Sequence, residues 1–157
     1  AWSCRQGSDD GRNHGHDSRM KPEVVLVDTN VLLDLVTDDP NWSEWSLARL
    51  EEAALAGPVL INDIVYAETS IRYARMEDLD AMLAEAMIEI VRTPRSALFL
   101  AGKAFQRYRA AGSTRTGVLP DFFIGAHAAV ESLPLLTRDA GRYRTYFPKI
   151  TLITPPA

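Results

Sequence analysis

The chain has 157 residues, 46% of them apolar and 24% charged, which suits one globular domain with a real core and leaves too little for two. No apolar run approaches the roughly 20 residues that a membrane-spanning helix needs, so no membrane partner is expected. Seventeen basic against 21 acidic side chains leave a formal net charge of −4, which by itself argues against a nucleic-acid partner, and one cysteine, Cys4, excludes an internal disulfide or a multi-cysteine metal site and fits a reducing cytoplasm.

Residues 1–19 are rich in Ser, Asp, Arg, Gly and His, with almost nothing to bury. Such a segment cannot offset its own ordering entropy, and it reads as a flexible extension ahead of a start at Met20. His14 and His16 with Cys4 belong to that tail rather than to a metal cluster. No h-region marks a secretory signal, and a cytoplasmic location is expected. The folded domain is placed at 20–157.

Residues 24–27 are an apolar, mostly β-branched run that stops at Asp28, the pattern of a strand buried on both faces of a parallel sheet. A second apolar run follows at 31–33. Residues 42–56 read as a helix, with Ser43 as cap and Gly57-Pro58 as stop. Residues 59–61 form a short strand, after which Asn62 or Asp63 caps a helix to about Ala74. Leu79, Met82, Leu83 and Ala86 have helical spacing. Residues 88–91 are a third strand. Pro94 opens a long helix whose apolar line is Leu98, Ala101, Phe105 and Tyr108, and 112–117 form a loop. Pro120 opens a helix to about Ser132. Residues 135–137 and 151–153 are the fourth and fifth strands. Strands spaced by helices imply right-handed crossovers and an α/β fold, with a small, mostly parallel sheet of about five strands flanked by helices.

Four acids break the apolar logic. Asp28 ends the first strand, at the rim where open α/β sheets place their ligands. Ile64, Glu68 and Ile71 are spaced to share one helix face, and a carboxylate on a buried stripe is costly unless paired or metal-bound. Asp121 lies in the first turn of the helix that Pro120 opens. Asp139 follows the fourth strand by two residues. Each has a plain structural explanation as well: Asp28 as a helix cap, Glu68 paired with Arg72, Asp121 complementing a helix dipole, Asp139 as a turn residue. Asp63 and the 38–40 segment read as cap and turn, and Asp34 and Glu131 as surface residues.

Taken together the four acids point further. In a doubly wound sheet their positions converge on one rim, where crowded carboxylates repel and some would stay protonated without a cation. Mg²⁺ or Mn²⁺ takes such oxygen ligands, and a site without His or Cys suits phosphate-ester chemistry better than zinc hydrolysis. With the four acids set aside, the remaining charge is 17 basic against 17 acidic, which is neutral. Arg109 and Arg115 lead toward Asp121, and Arg138 and Arg142 bracket Asp139; these four are candidate phosphate contacts. Tyr143, Tyr146 and Phe147 fit core packing better than base stacking.

Residues 25–33 (Val-Leu-Val-Asp-Thr-Asn-Val-Leu-Leu), 66–68 (Tyr-Ala-Glu) and 119–128 (Leu-Pro-Asp-Phe-Phe-Ile-Gly-Ala-His-Ala), then Leu-Leu-Thr-Arg-Asp and 142–148 (Arg-Tyr-Arg-Thr-Tyr-Phe-Pro), resemble the PIN domain. More narrowly, they resemble VapC-type toxins of prokaryotic toxin–antitoxin pairs. The resemblance runs from about residue 23 to 155. It implies a three-layer α/β/α fold and a Mg²⁺- or Mn²⁺-dependent endoribonuclease. It implies Asp28, Glu68, Asp121 and Asp139 as the catalytic, metal-binding quartet, with Asn30 and Thr137 in support. It also implies a homodimer held inactive by a VapB-type antitoxin. A PIN nuclease of RNA processing or surveillance, without an antitoxin, is the alternative. A haloacid-dehalogenase-type phosphotransferase would need an acid where Asn30 stands. A receiver-like module would need an acidic pair near the end of strand one and a lysine after a late strand, and neither is there: strand four is followed by Thr137-Arg138.

Overall fold

The computed structural model describes residues 22–115 and 117–156, so the extension expected over 1–19 lies outside the described residues. The strand expected first is β1 (Val25–Val27), buried along its whole length. It pairs on one side with β2 (Val59–Asn62), Val25 opposite Val59, and on the other with β4 (Leu135–Leu136), Leu26 opposite Leu135. Beyond these lie β3 (Ile88–Val91) and β5 (Leu152–Ile153), giving the order β3-β2-β1-β4-β5 with every ladder parallel.

Parallel neighbours need crossovers, and helices supply them. Between β1 and β2 run α1 (Thr29–Val36) and α2 (Ser43–Ala56). Between β2 and β3 run α3 (Asp63–Ser70) and α4 (Met76–Glu85), and between β3 and β4 run α5 (Arg95–Ala110) and α6 (Leu119–Glu131). The link to β5 carries α7 (Gly141–Tyr146). The result is a three-layer α/β/α architecture. Strand order reverses at β1 and β4, so a crevice opens beyond their C-terminal ends, the usual ligand position in such sheets.

Several local expectations shift. The helix begun at Asn62 ends at Ser70, not near Ala74. The Thr69 and Ser70 hydroxyls donate back to the Val65 and Ala67 carbonyls, a bonding pattern that competes with continuing the helix. Its buried stripe is therefore Val65 and Thr69. Ile71 is exposed and Glu68 sits at the stripe's margin. Asn62, not Asp63, is the cap, with Oδ1 accepting from Val65 N at 3.0 Å. In α5 the buried line is Ala97, Ala101 and Ala104, and Leu98 is exposed. Those small residues let α6 come close, and Phe105, Tyr108, Phe122 and Tyr146 then close one aromatic cluster with centroids 5.3–6.0 Å apart. Tyr143 and Phe147 are buried, as core packing required.

The stop at Gly57 has a second role. A Cβ there would stand 2.4 Å from the Glu23 carbonyl oxygen and 2.8 Å from its nitrogen, because the chain entering β1 crosses the end of α2. Gly57→Ala is expected to destabilise the fold by about 1–3 kcal/mol, read as a lower denaturant midpoint at unchanged slope.

Candidate active site

Asp28 leaves β1 and caps α1 in one step. Its backbone is extended, at φ −74° and ψ 153°, and its Oδ1 accepts from Thr29 N at 2.7 Å. The cap explains only one oxygen. The other, Oδ2, accepts from Thr137 Oγ1 at 2.7 Å, from Tyr143 OH at 2.8 Å and from Asn30 Nδ2 at 3.3 Å. The residue is 4% exposed. Burial pushes its carboxyl above the usual range, against the hydrogen bonds of Thr137, Tyr143 and Thr29. Burial and the charge of Asp28 also push the Tyr143 phenol well up, so it stays a donor.

Asn30 and Thr137, expected in support, knit the ends of β1 and β4 together. Thr137 Oγ1 accepts from Asn30 Nδ2 at 3.2 Å and from Asp139 N at 3.1 Å, which sets the turn carrying Asp139. Asn30 Oδ1 accepts from Arg138 N at 3.2 Å. Every bonding position of the Thr137 hydroxyl is thus in use.

The other three acids come from separate elements. Glu68, half-buried on α3, accepts from Thr29 Oγ1 at 2.7 Å rather than pairing with Arg72. Asp121, in the first turn of α6, is ion-paired with Arg142 of α7. Asp139 is exposed beyond β4. The four share one electrostatic neighbourhood. Burial first, then Asp28, raises the Asp121 carboxyl to about 6; Glu68 and Asp139 add to this, and Arg142 opposes it. The close Arg142 contact alone would lower that value, but Arg142 is partly solvated and loses to burial plus three negative neighbours. Among the described residues, no three acidic, imidazole or thiol side chains stand close enough to hold an ion as they are. The acids are at one edge, but Asp28, Glu68 and Asp121 each keep a partner of their own, which is looser than the crowding expected from sequence.

A pH dependence follows. Asp121 binds its proton more tightly folded than unfolded, so between pH 4 and 6 the native state holds more protons and stability falls as pH rises. In chelator, the melting temperature is expected to drop across that window, by the equivalent of about 2 kcal/mol after allowing for partial exposure. Asp121→Asn should flatten the drop; an unchanged pH profile in that variant counts against the assignment.

Arg138, expected as an RNA contact, is engaged inside the fold. Its Nε and Nη2 donate to Asp34 Oδ2 at 2.7 Å and Oδ1 at 2.8 Å, and its guanidinium lies over Trp42 at 5.1 Å. Asp34 is not a surface residue. It is 2% exposed and accepts also from Ser46 Oγ at 2.7 Å. Only spatial neighbours from α2 and from the turn after β4 reveal this, because its spacing within α1 shows no partner. Arg109 and Arg115 are exposed, Arg109 in the last turn of α5 and Arg115 in the loop that follows. Two further residues carry no distinctive sequence signal. His127 is buried on α6 and its Nδ1 accepts from Asn62 Nδ2 at 3.2 Å, tying α6 to the start of α3; burial lowers its pKa. Tyr143 is placed by α7, a helix too short to announce itself by periodicity.

The donor set fits a hard divalent ion: oxygen only, anionic, and short of positive charge apart from Arg142. No curated protein matches the chain. Solved structures with the same fold include VapBC2 from Rickettsia felis bound to a promoter DNA fragment, at 20% identity and TM-score 0.64, over 85% of this chain and 99% of that one. VapBC-1 from nontypeable Haemophilus influenzae matches at 15% identity and TM-score 0.62, over 83% and 97%. FitAcB from Neisseria gonorrhoeae matches at 19% identity and TM-score 0.58, over 82% and 96%. The sequence matches the PIN domain over residues 25–148, a span that starts at β1, ends just past α7 and holds all four acids. By that match, with the parallel sheet and acid-lined crevice it encloses, the chain belongs to the PIN domain family.

Proposed function

We propose that this protein is a metal-dependent endoribonuclease toxin, hydrolysing RNA phosphodiesters and restrained by a cognate VapB-type antitoxin. The observation that supports the reading is that Asp28, Glu68, Asp121 and Asp139 border one crevice, where burial and then the charges of the other three acids raise the proton affinity of Asp121. PIN family membership supports a hydrolase acting on nucleic acid. The toxin role rests on neighbours that are VapBC complexes, which also support an antitoxin partner. A homodimer is proposed from the family resemblance alone.

The four carboxylates would hold one or two Mg²⁺ or Mn²⁺ ions. When bound, such an ion supplies the Lewis acidity and water activation that phosphodiester hydrolysis requires. The protein's own part is to position and to balance charge. Thr137, Tyr143 and Thr29 orient Asp28. Thr29 orients Glu68. Arg142 holds Asp121 and, with exposed Arg109 and Arg115, would meet the RNA backbone. Arg138, bound to Asp34, is left out of that set.

The test is cleavage of total RNA by the purified protein with and without EDTA, with sequencing of the new ends. Cleavage that stops in EDTA, returns with Mg²⁺ or Mn²⁺ and leaves 5′-phosphate and 3′-hydroxyl ends is expected. Undiminished cleavage in EDTA would sink the metal role. If no small neighbouring gene product suppresses the activity, RNA processing or surveillance replaces the toxin role.

A further inference from the structure

Tyr143 is 2% exposed and lies against α6, yet it is a tyrosine rather than a phenylalanine. A buried hydroxyl must be satisfied, and a phenylalanine would fill the same space without that cost. Its hydroxyl has a defined target: it donates to Asp28 Oδ2 at 2.8 Å. The ring packs closely on Gly125 of α6. A Cβ on Gly125 would stand 3.0 Å from Tyr143 Cδ1 and 2.5 Å from Phe147 Cδ2, so only glycine lets α7 seat this close.

The two oxygens of Asp28 are therefore unequal. An ionised carboxylate oxygen has about two acceptor positions. On Oδ2, the Thr137 and Tyr143 hydroxyls occupy both, and the longer Asn30 contact adds a third donor. On Oδ1 there is one donor, Thr29 N, and one position remains. Thr29 also binds Glu68 through its hydroxyl, so the residue beside Oδ1 leads to the next carboxylate of the site.

We propose that Tyr143 is a positioning residue. Together with Thr137 it holds Oδ2 of Asp28 inside the fold and leaves Oδ1 as the oxygen that meets a divalent cation. Tyr143 touches neither cation nor RNA; it acts through Asp28. This rests on the metal-dependent nuclease reading.

The test is Mn²⁺ binding without RNA, followed by the EPR signal of free Mn²⁺, in the wild-type chain and in Tyr143→Phe. The variant keeps the ring and its packing. Loss of a partner that orients a metal ligand is expected to weaken Mn²⁺ affinity about tenfold while the metal-free melting temperature moves little. A packing role alone predicts unchanged Mn²⁺ affinity in the folded variant, and that result overturns the proposal. Should Tyr143→Phe fail to fold, Gly125→Ala displaces α7 with the phenol retained. Weakened Mn²⁺ binding there supports the proposal, and wild-type affinity overturns it. A wild-type chain that binds no Mn²⁺ overturns the metal site itself and the role of Tyr143 with it. Normal wild-type binding with an unaffected Tyr143→Phe removes only the latter.

Discussion

Asp28→Asn is expected to lower metal-dependent RNA cleavage by about a thousandfold or more, with a melting temperature that does not fall by more than a few degrees. The two halves have separate causes. Removing the charge from the most buried of the four acids removes a ligand whose interaction with a divalent ion is worth several kcal/mol, and that loss falls on the chemistry. The fold, by contrast, carries a desolvated carboxylate whose proton affinity burial has raised. A neutral amide relieves that desolvation, and its carbonyl can still accept from Thr137 and Tyr143. The amide loses the Thr29 cap, which costs about 1 kcal/mol and limits any gain. Cleavage rates on a defined RNA, with thermal melts of the same samples, separate the outcomes. A variant that melts normally and cleaves normally would remove Asp28 from the active site.

The second large effect is on stability. Asp34→Ala is expected to cost about 3 kcal/mol, read as a melting temperature lower by about 10 °C. The deletion strands the Arg138 guanidinium, whose side chain is 27% exposed, against a carboxylate that was 3% exposed. It also removes the acceptor of the Ser46 hydroxyl. The loss is chiefly that of an unpaired charge, so Asp34→Leu combined with Arg138→Met should recover most of it. Thr137 and Asp139 flank Arg138, and its backbone N–H bonds Asn30, so Asp34→Ala should also weaken cleavage by loosening the β4 turn. A melt within a degree or so of wild type would show that Trp42 and solvent hold Arg138 without Asp34.

The sequence carried the regular elements because they depend on local pattern. Short apolar, mostly β-branched stretches marked the strands, and Pro120 and Gly57 marked helix ends. It carried less where a helix is short or is stopped by hydroxyls. α7 has too few turns to show a period, and Thr69 and Ser70 end α3 before its apolar spacing runs out. The four acids were visible as violations of the apolar pattern, and Asn30 and Thr137 through the family resemblance. Asp34 was not visible, because a carboxylate on an amphipathic helix looks solvent-facing until its partner is known.

By itself, then, the sequence determined the order of the strands and of the longer helices, and through them the edge to which Asp28, Glu68, Asp121 and Asp139 belong, since strand ends and helix starts follow from nearest-neighbour chemistry. The tertiary structure alone decided which side chains serve that edge. It joined Tyr143 to Asp28 across 115 positions and Arg138 to Asp34 across 104. It also made Arg138 a fold residue and left Arg109 and Arg115 in solvent. The reason is physical: a buried hydrogen bond or ion pair depends on distance and dielectric after folding, and neither is written in the spacing of residues along the chain.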